Sequence, residues 1–200
     1  MSEFTSGNLV LNKHFTKVAG YNPKYHKEVN DKWCVFYMEG DHESDITNIS
    51  KEVPILYFYN FEDHGWGYSI IHDCKKISAF DFSYEKEEID LQNYVQEKFP
   101  DEDAIELLYI KPNAREFREQ MLEQYYEGVN KEQFFRELFN GIEADSFRLF
   151  ELSDQQIMGI KEQLSANTLL KLKSKHDLVE NFKTIVGIQE MSWIRSDRFL

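Results

Sequence analysis

The sequence predicts an α+β fold, with strands in the first half of the chain and helices after them. Residues 54–84 contain three short, aromatic-rich runs separated by two turn-like segments. From residue 85 onward, apolar residues recur at spacings of three and four, which is typical of amphipathic helices. Strands followed by helices, instead of alternating with them, favour a sheet covered by helices over a parallel α/β sheet.

The predicted sheet is centred on residues 54–60, where five consecutive residues from Ile55 to Tyr59 are apolar or aromatic. The run is too short for a typical helix, and both faces of the extended chain are apolar, which indicates a strand covered on both sides. Pro54 stands at its start, where a missing N–H costs least. Similar or alternating patterns predict an antiparallel β-meander with strands at residues 33–38, 54–60, 66–72 and 76–84.

Five helices are predicted from apolar spacing and from their start and stop signals. Glu87 and Glu88 suit the first turn of one helix, and Pro112 suits the first position of the next. Capping-box patterns open the other three, at Asn130, Ser153 and Ser174. The predicted helices span residues 86–99, 112–127, 131–140, 154–165 and 177–186.

Four shorter segments carry weaker patterns. Residues 9–11 are expected to form a short strand, and the polar residues 39–51 to form a long hairpin connection. Two further apolar runs, 104–110 and 147–152, also favour strands. The final residues, from Met191, are apolar enough to dock on the folded protein.

A chain of 200 residues is the size of one domain, and no linker-like segment interrupts it. We therefore expect residues 1–200 to form a single α+β domain. The alternative is a boundary near residue 111, with a sheet-rich half at 1–111 and a helical half at 112–200.

The composition restricts the function classes. The net charge is −13, and residues 39–106 alone carry 18 acidic and 5 basic side chains. Such a field disfavours nucleic acid and anionic membranes and favours a basic protein as partner, although acidity also serves solubility alone. Two cysteines, no signal-peptide pattern and no apolar run near the ~20 residues that span a bilayer indicate a cytoplasmic protein. No cofactor is predicted.

The loop between the strands 54–60 and 66–72 is the predicted binding site. Glu62, Asp63 and His64 place three ionisable side chains beside Trp66, a residue type that often anchors interfaces. The competing interpretation gives the loop a solvated surface and puts the Trp66 ring in the core, which is the commoner position for such a residue.

Enzyme chemistry has weaker support. His72 and Cys74 could form a Cys–His pair, and the loop of Glu62, Asp63 and His64 could bind a metal. These would be two separate sites, because His64 and His72 would lie about 25 Å apart along an extended strand. The paired-cysteine, HExxH and glycine-rich phosphate-binding patterns do not occur. No catalytic or metal-binding residue is therefore assigned.

The sequence therefore favours a non-enzymatic, cytoplasmic protein-binding module, such as an acidic inhibitor or immunity-type protein that engages a basic partner. The alternative is a hydrolase or metal-dependent enzyme that uses the Glu62, Asp63 and His64 loop or the pair of His72 and Cys74. A structural or oligomer-forming module is the plainest third option, and the sequence does not indicate an oligomeric state.

Overall fold

A computed structural model describes residues 4–39, 43–61, 63–128, 137–169, 171–172 and 174–195, and these are called the described residues below. They form a six-stranded antiparallel sheet together with α-, 3-10 and π-helical segments. The predicted α+β fold is confirmed.

Six strands form the sheet, in the spatial order β2-β3-β1-β4-β5-β6. The strands are β1 (Phe4–Leu11), β2 (Tyr25–Glu28), β3 (Trp33–Tyr37), β4 (Ile55–Phe61), β5 (Gly65–His72) and β6 (Lys75–Ser83). All four predicted strands are present. However, β1 lies between β3 and β4, pairing Leu9 with Val35 on one side and with Leu56 on the other, so the meander in the strict sense is β4-β5-β6.

The α-helices are α1 (Phe15–Ala19), α2 (Glu43–Ser50), α3 (Lys86–Lys98), α4 (Ala114–Gly128), α5 (Asp154–Gln163), α6 (Ala166–Leu169) and α7 (His176–Val186). Four of the five predicted helices correspond to α3, α4, α5 and α7. The fifth, predicted at 131–140, falls largely outside the described residues. Ser153 and Gln156 form the predicted capping box of α5, whereas Ser174 is not the cap of α7, which starts after Lys175.

Three predictions for the weaker segments were wrong. The expected connection 39–51 contains α2, because Ile46 and Ile49, three residues apart, turn one side of that segment towards the core. The expected strand 147–152 lies mostly in a 3-10 helix, Ala144–Phe150, whose Phe147 and Phe150 share one side because that helix has three residues per turn.

The third error concerns residues 104–110, which contain a π-helix, Glu106–Ile110, instead of a strand. Asp103 explains the difference. Its carboxylate Oδ1 accepts hydrogen bonds from the backbone N–H groups of Ile105 and Glu106, at 2.8 and 3.1 Å. A side chain that caps free N–H groups in this way starts a helical turn, so the local hydrogen bonds outweigh the strand-like composition.

The chain divides into two compact units. One comprises residues 1–82 and 138–200 and is called the sheet unit; the other comprises residues 83–137 and is called the helical unit. Lys111, near the alternative boundary, lies within the helical unit, between the π-helix and α4. A single folding domain stays a prediction, because compactness does not measure independent folding.

One face of the sheet packs on α7 and the 3-10 helix through aromatic rings. Phe182 of α7 is fully buried, and its ring centroid lies 5.1 Å from that of Trp66, 5.1 Å from that of Tyr68 and 6.2 Å from that of Phe58. Phe147 adds an edge contact with Phe182 at 5.9 Å. This cluster is the centre of the core of the sheet unit.

The other face carries a second apolar cluster beneath α1 and α2. Its fully buried members include Val10, Cys34, Phe36 and Ile55 from the sheet and Ile49 from α2. The predicted two-sided burial of the central strand is therefore correct at Ile55, Leu56 and Phe58. The described part of the tail, residues 191–195, also docks as expected, since the Ile194 carbonyl accepts a backbone hydrogen bond from Ser6 at 2.8 Å.

The helical unit has its own, smaller core. It consists of Leu91 and Val95 of α3, Met121 of α4 and the segment between those helices, in which Leu107 and Leu108 are buried. Partly buried rings, including Phe117 and Tyr125 of α4, pack against this cluster. The unit thus has an apolar interior, but a much less aromatic one than that of the sheet unit.

Candidate functional site

The predicted binding loop is the turn between β4 and β5. The backbone N–H of His64 donates to the carbonyl of Phe61 at 2.8 Å, and the His64 ring lies 6.4 Å from the Phe4 ring, centroid to centroid. Gly65 has a φ of 152°, within the positive-φ range that glycine accommodates best. Glu62 lies outside the described residues, so the predicted group of three ionisable side chains is described only at Asp63 and His64.

Trp66 lies in the core. Its exposed fraction is 0%, and its ring packs 5.0 Å from Phe80 and 5.1 Å from Phe182. Its indole N–H is buried and finds no hydrogen-bond partner among the described residues. In this conformation the ring contributes to stability, in agreement with the core interpretation of this residue, and a partner would contact Asp63 and His64 instead.

His72 and Cys74 flank the turn between β5 and β6. Asp73 and Cys74 both have positive φ angles, 50° and 61°, and their N–H groups donate to the carbonyl and the hydroxyl of Ser50 at the end of α2. Cys74 is exposed, whereas the His72 Nδ1 atom is buried and has no hydrogen-bond partner in the described part of the chain, so Cys74 does not bond to that nitrogen. The turn between β5 and β6 is thus hydrogen-bonded to the end of α2.

Cys34 behaves as a buried apolar residue. Burial raises the pKa of its thiol to about 11, which disfavours the reactive thiolate at neutral pH. The side chain belongs to the apolar cluster beneath α1 and α2.

The described residues contain neither a metal centre nor a membrane-spanning helix. Within them, no group of three or more His, Cys, Asp or Glu side chains is arranged to hold a metal ion. None of their helices is both long and apolar enough to cross a membrane.

The helical unit concentrates the negative charge of the protein. Residues 83–137 contain 15 acidic and 7 basic side chains, a net charge of −8, whereas the remaining 145 residues contain 21 acidic and 16 basic side chains, a net charge of −5. More than half of the excess charge therefore belongs to little more than a quarter of the chain. A charge density of this kind produces a local field that attracts basic molecules.

Some carboxylates of α3 hold the helical unit together. Glu88 accepts two hydrogen bonds from the Arg118 guanidinium, at 2.6 and 3.4 Å, and this pair raises the pKa of Arg118. Glu87 pairs with the Tyr126 hydroxyl, and its bond and charge add to burial in raising the pKa of that phenol. These contacts join α3 to α4, so the carboxylates of Glu87 and Glu88 already have partners within the helical unit.

A second group of carboxylates in the helical unit is exposed and engaged in no side-chain hydrogen bond or ion pair with any described residue. Its members lie on α3, on the loop after it, on the π-helix and on α4, so they are spread along the unit. They include Glu97, Asp101, Glu106, Glu116 and Glu123. These charges are available to a partner.

The π-helix also exposes large apolar side chains. Ile105, Tyr109 and Ile110 are 53%, 44% and 69% exposed, while Leu107 and Leu108 between them are buried. The backbone bond from Lys111 N–H to the Glu106 carbonyl, 3.0 Å, spans five residues and defines the wide turn. Because a π-turn holds more than four residues, positions four and five apart share one side, and we call this side, formed by Ile105, Tyr109 and Ile110, the 105–110 face.

Comparisons of the chain with protein-family models, with curated proteins and with solved structures find no match. Function must therefore be inferred from the residues of this chain. The sequence indicates an excess of acidic residues at 39–106, a range that includes part of the helical unit, but it does not reveal the 105–110 face. The available signal was the apolar run 104–110 directly after Asp101, Glu102 and Asp103, which was interpreted as a strand.

Proposed function

We propose that this protein is a non-enzymatic, cytoplasmic protein-binding module, an acidic inhibitor or immunity-type protein that engages a basic partner through its helical unit. The observation that supports the proposal most is the distribution of charge. The helical unit has a net charge of −8 within 55 residues, and several of its exposed carboxylates, such as Asp101 and Glu123, form no ion pair with any described residue. The two free cysteines suit a reducing compartment.

An uneven charge of this kind affects recognition in two ways. It accelerates encounter with a basic surface, and it makes binding sensitive to salt, because ions screen exposed charges beyond about 10 Å at 0.1 M. Unpaired carboxylates also gain more from a cationic partner than carboxylates already paired within the protein. Because the proposal places the partner on the helical unit, the exposed carboxylates of that unit should contribute more to binding than an equal number on the sheet unit.

Two charge variants test this difference. In the first, five exposed carboxylates of the helical unit become amides: Glu97→Gln, Asp101→Asn, Glu106→Gln, Glu116→Gln and Glu123→Gln. In the matched control, five exposed carboxylates of the sheet unit become amides: Glu28→Gln, Asp31→Asn, Glu143→Gln, Glu162→Gln and Asp177→Asn. Both variants have a net charge of −8 instead of −13, so they differ only in where the charge is removed.

The measurement is capture from cell lysate on the immobilised protein, at about 50 mM and about 500 mM salt. The proposal predicts that a basic protein is retained at low salt and released at high salt. The helical-unit variant should lose this protein, and the sheet-unit variant should retain it. Equal loss with both variants would show that only total charge matters, and capture of no basic protein at low salt would contradict the proposal.

Metal analysis of the purified protein distinguishes the enzyme alternative. A stoichiometric zinc or manganese ion would favour a metal-dependent enzyme over a binding module. Substitution of His64 or of His72 by Ala would then show which of the two predicted sites holds the ion.

A further inference from the structure

The 105–110 face is an exposed apolar surface on an otherwise acidic unit. Its three side chains are each more than two-fifths exposed, and four of the six exposed large apolar residues among the described ones belong to the helical unit. Single exposed apolar residues are ordinary, but three that share one side of one helix turn form a patch. Segments of π-helix are also frequent at functional sites.

Carboxylates flank this patch in the sequence, and Lys111 follows it directly. Asp101, Glu102 and Asp103 precede it, and Glu106 projects from the π-helix itself. Glu102 pairs with Lys111 at 2.6 Å, and Asp103 caps the turn, whereas Asp101 and Glu106 have no ion-pair partner among the described residues. An apolar centre with a charged rim is the usual anatomy of a protein interface.

A concavity adjoins the patch. It has a volume of about 510 Å³ and lies between α3 and the loop after it, with Gln92, Asn93, Asp101 and Ile105 among its lining residues. Every charged side chain in the lining is a carboxylate, and the remaining polar ones are amides. Gln96 fixes the loop, because its amide group donates to the carbonyls of Pro100 and Glu102 and accepts from the Ala104 N–H.

We propose that the 105–110 face binds an amphipathic, basic helical segment of a partner protein. The apolar side of that segment covers Ile105, Tyr109 and Ile110, and its Lys or Arg side chains meet the surrounding carboxylates and the adjoining concavity. Charge complementarity selects this occupant, because an acidic or neutral segment would leave the rim unpaired. The inference rests on the proposed function and adds the segment that the partner supplies.

The probe is a synthetic peptide of about 16 residues with Leu at helical spacings of three and four and Lys elsewhere. A second peptide has the same composition with the leucines distributed around the helix, and a third contains only lysine. Binding is followed in the full-length protein through the isoleucine δ1 methyl NMR signals. Ile105 and Ile110 report on the face, and the buried Ile55 and Ile160 of the sheet unit serve as internal references.

Two variants test whether binding depends on the 105–110 face or on any exposed apolar side chain. Ile110→Ser removes an apolar side chain that is 69% exposed, and Met158→Ser removes one from the sheet unit that is also 69% exposed. The proposal predicts that the amphipathic peptide shifts the Ile105 and Ile110 signals and leaves the Ile55 and Ile160 signals in place. Ile110→Ser should weaken this binding about tenfold, and Met158→Ser should leave it unchanged.

Other results would overturn the inference. If the lysine-only peptide binds as tightly and Ile110→Ser has no effect, charge alone is recognised, and the broader proposed function survives without this face. If neither the amphipathic nor the lysine-only peptide binds, the inference fails. The proposed function is tested separately, by capture from lysate with the two charge variants. If light scattering shows a dimer that Ile110→Ser dissociates, the occupant is a second copy of the chain.

Discussion

The sheet unit and the helical unit differ in how completely they bury their apolar side chains. The largest fully buried side chains, among them Trp33, Trp66, Tyr68 and Phe182, all belong to the sheet unit. The helical unit buries mainly aliphatic residues around Leu91 and Val95 and leaves Ile105, Tyr109 and Ile110 exposed. A region that buries most of its large aromatic side chains has the packing of a scaffold. Exposed apolar side chains next to unpaired carboxylates are instead typical of a binding surface.

The use of charge differs in the same direction. In the sheet unit, Asp145 pairs with Lys161 at 2.7 Å, and Arg148 bridges Asp145 and Asp154, so these carboxylates have nearby cations that lower the pKa of Asp145. In the helical unit, carboxylates such as Asp101 and Glu123 have no such neighbour among the described residues. Under the proposed function the sheet unit supplies stability and the helical unit supplies recognition, and each of the following predictions tests one side of this comparison.

The largest expected effect is at Phe182. Phe182→Ala removes a ring that contacts Phe58, Trp66, Tyr68 and Phe147, and should lower the free energy of unfolding by about 3–5 kcal/mol. Urea denaturation measures the change. Ile110→Ser provides the contrast, since an exposed side chain should cost no more than about 0.5 kcal/mol. Similar losses for both variants would remove the distinction between scaffold and surface.

The second-largest effect on stability is expected at Gly67 in β5. A Cβ atom on Gly67 would lie 2.4 Å from the Phe80 carbonyl oxygen and 2.7 Å from the Tyr59 hydroxyl oxygen, so Gly67→Ala forces two neighbouring strands to shift. We expect a loss of about 1–3 kcal/mol. Gly128→Ala in the helical unit is the matched control, because a Cβ there meets no atom within 4 Å. A stable Gly67→Ala protein would show that the sheet is less tightly packed than described.

The capping box of α5 should have a moderate effect. The Ser153 hydroxyl accepts from the Gln156 N–H at 3.3 Å, and the Gln156 side chain accepts from the Ser153 N–H at 3.0 Å. Ser153→Ala should cost about 1 kcal/mol in thermal or urea unfolding. Ser153→Asp restores a capping acceptor and should recover most of that loss. If the Asp variant is as unstable as the Ala variant, the cap is not the cause.

The smallest expected effect is the ion pair that joins α3 to α4. Glu88 and Arg118 each expose about a third of their side chains, 34% and 33%, so water screens their attraction. A double-mutant cycle with Glu88→Gln and Arg118→Gln should give a coupling energy of about 0.5 kcal/mol, decreasing with salt. A coupling above about 2 kcal/mol would show that the helical unit depends on charge for its stability, against the comparison above.

The sequence predicted the parts of the fold that have a strong local pattern. The apolar run from Ile55 to Tyr59 and the Ser153 capping box each identify their element without help from the rest of the chain. Strand β1 was mostly missed, because only its last three residues, Leu9–Leu11, are consecutively apolar. Its central position depends on pairing with two strands that lie distant in sequence, which local patterns do not show.

The site was harder to predict than the fold. The acidic composition indicated residues 39–106, which span parts of both units, but it could not separate Glu88, which pairs with Arg118, from Asp101, which has no ion-pair partner among the described residues. The run 104–110 was predicted as a strand because its composition suits one, whereas the Asp103 cap produces a helical turn. For Trp66 the sequence left an interface anchor and a core position open, with the core the commoner of the two, and the packing on Phe182 places the ring inside.

Hydrogen–deuterium exchange of the protein, alone and with the basic protein captured at low salt, tests the central claim most directly. We predict that binding slows exchange in peptides from residues 83–128 and leaves peptides from β4, β5 and α7 unchanged. Slower exchange confined to the turn at Asp63 and His64, or spread over the sheet with none in residues 83–128, would contradict the claim that the helical unit is the recognition surface.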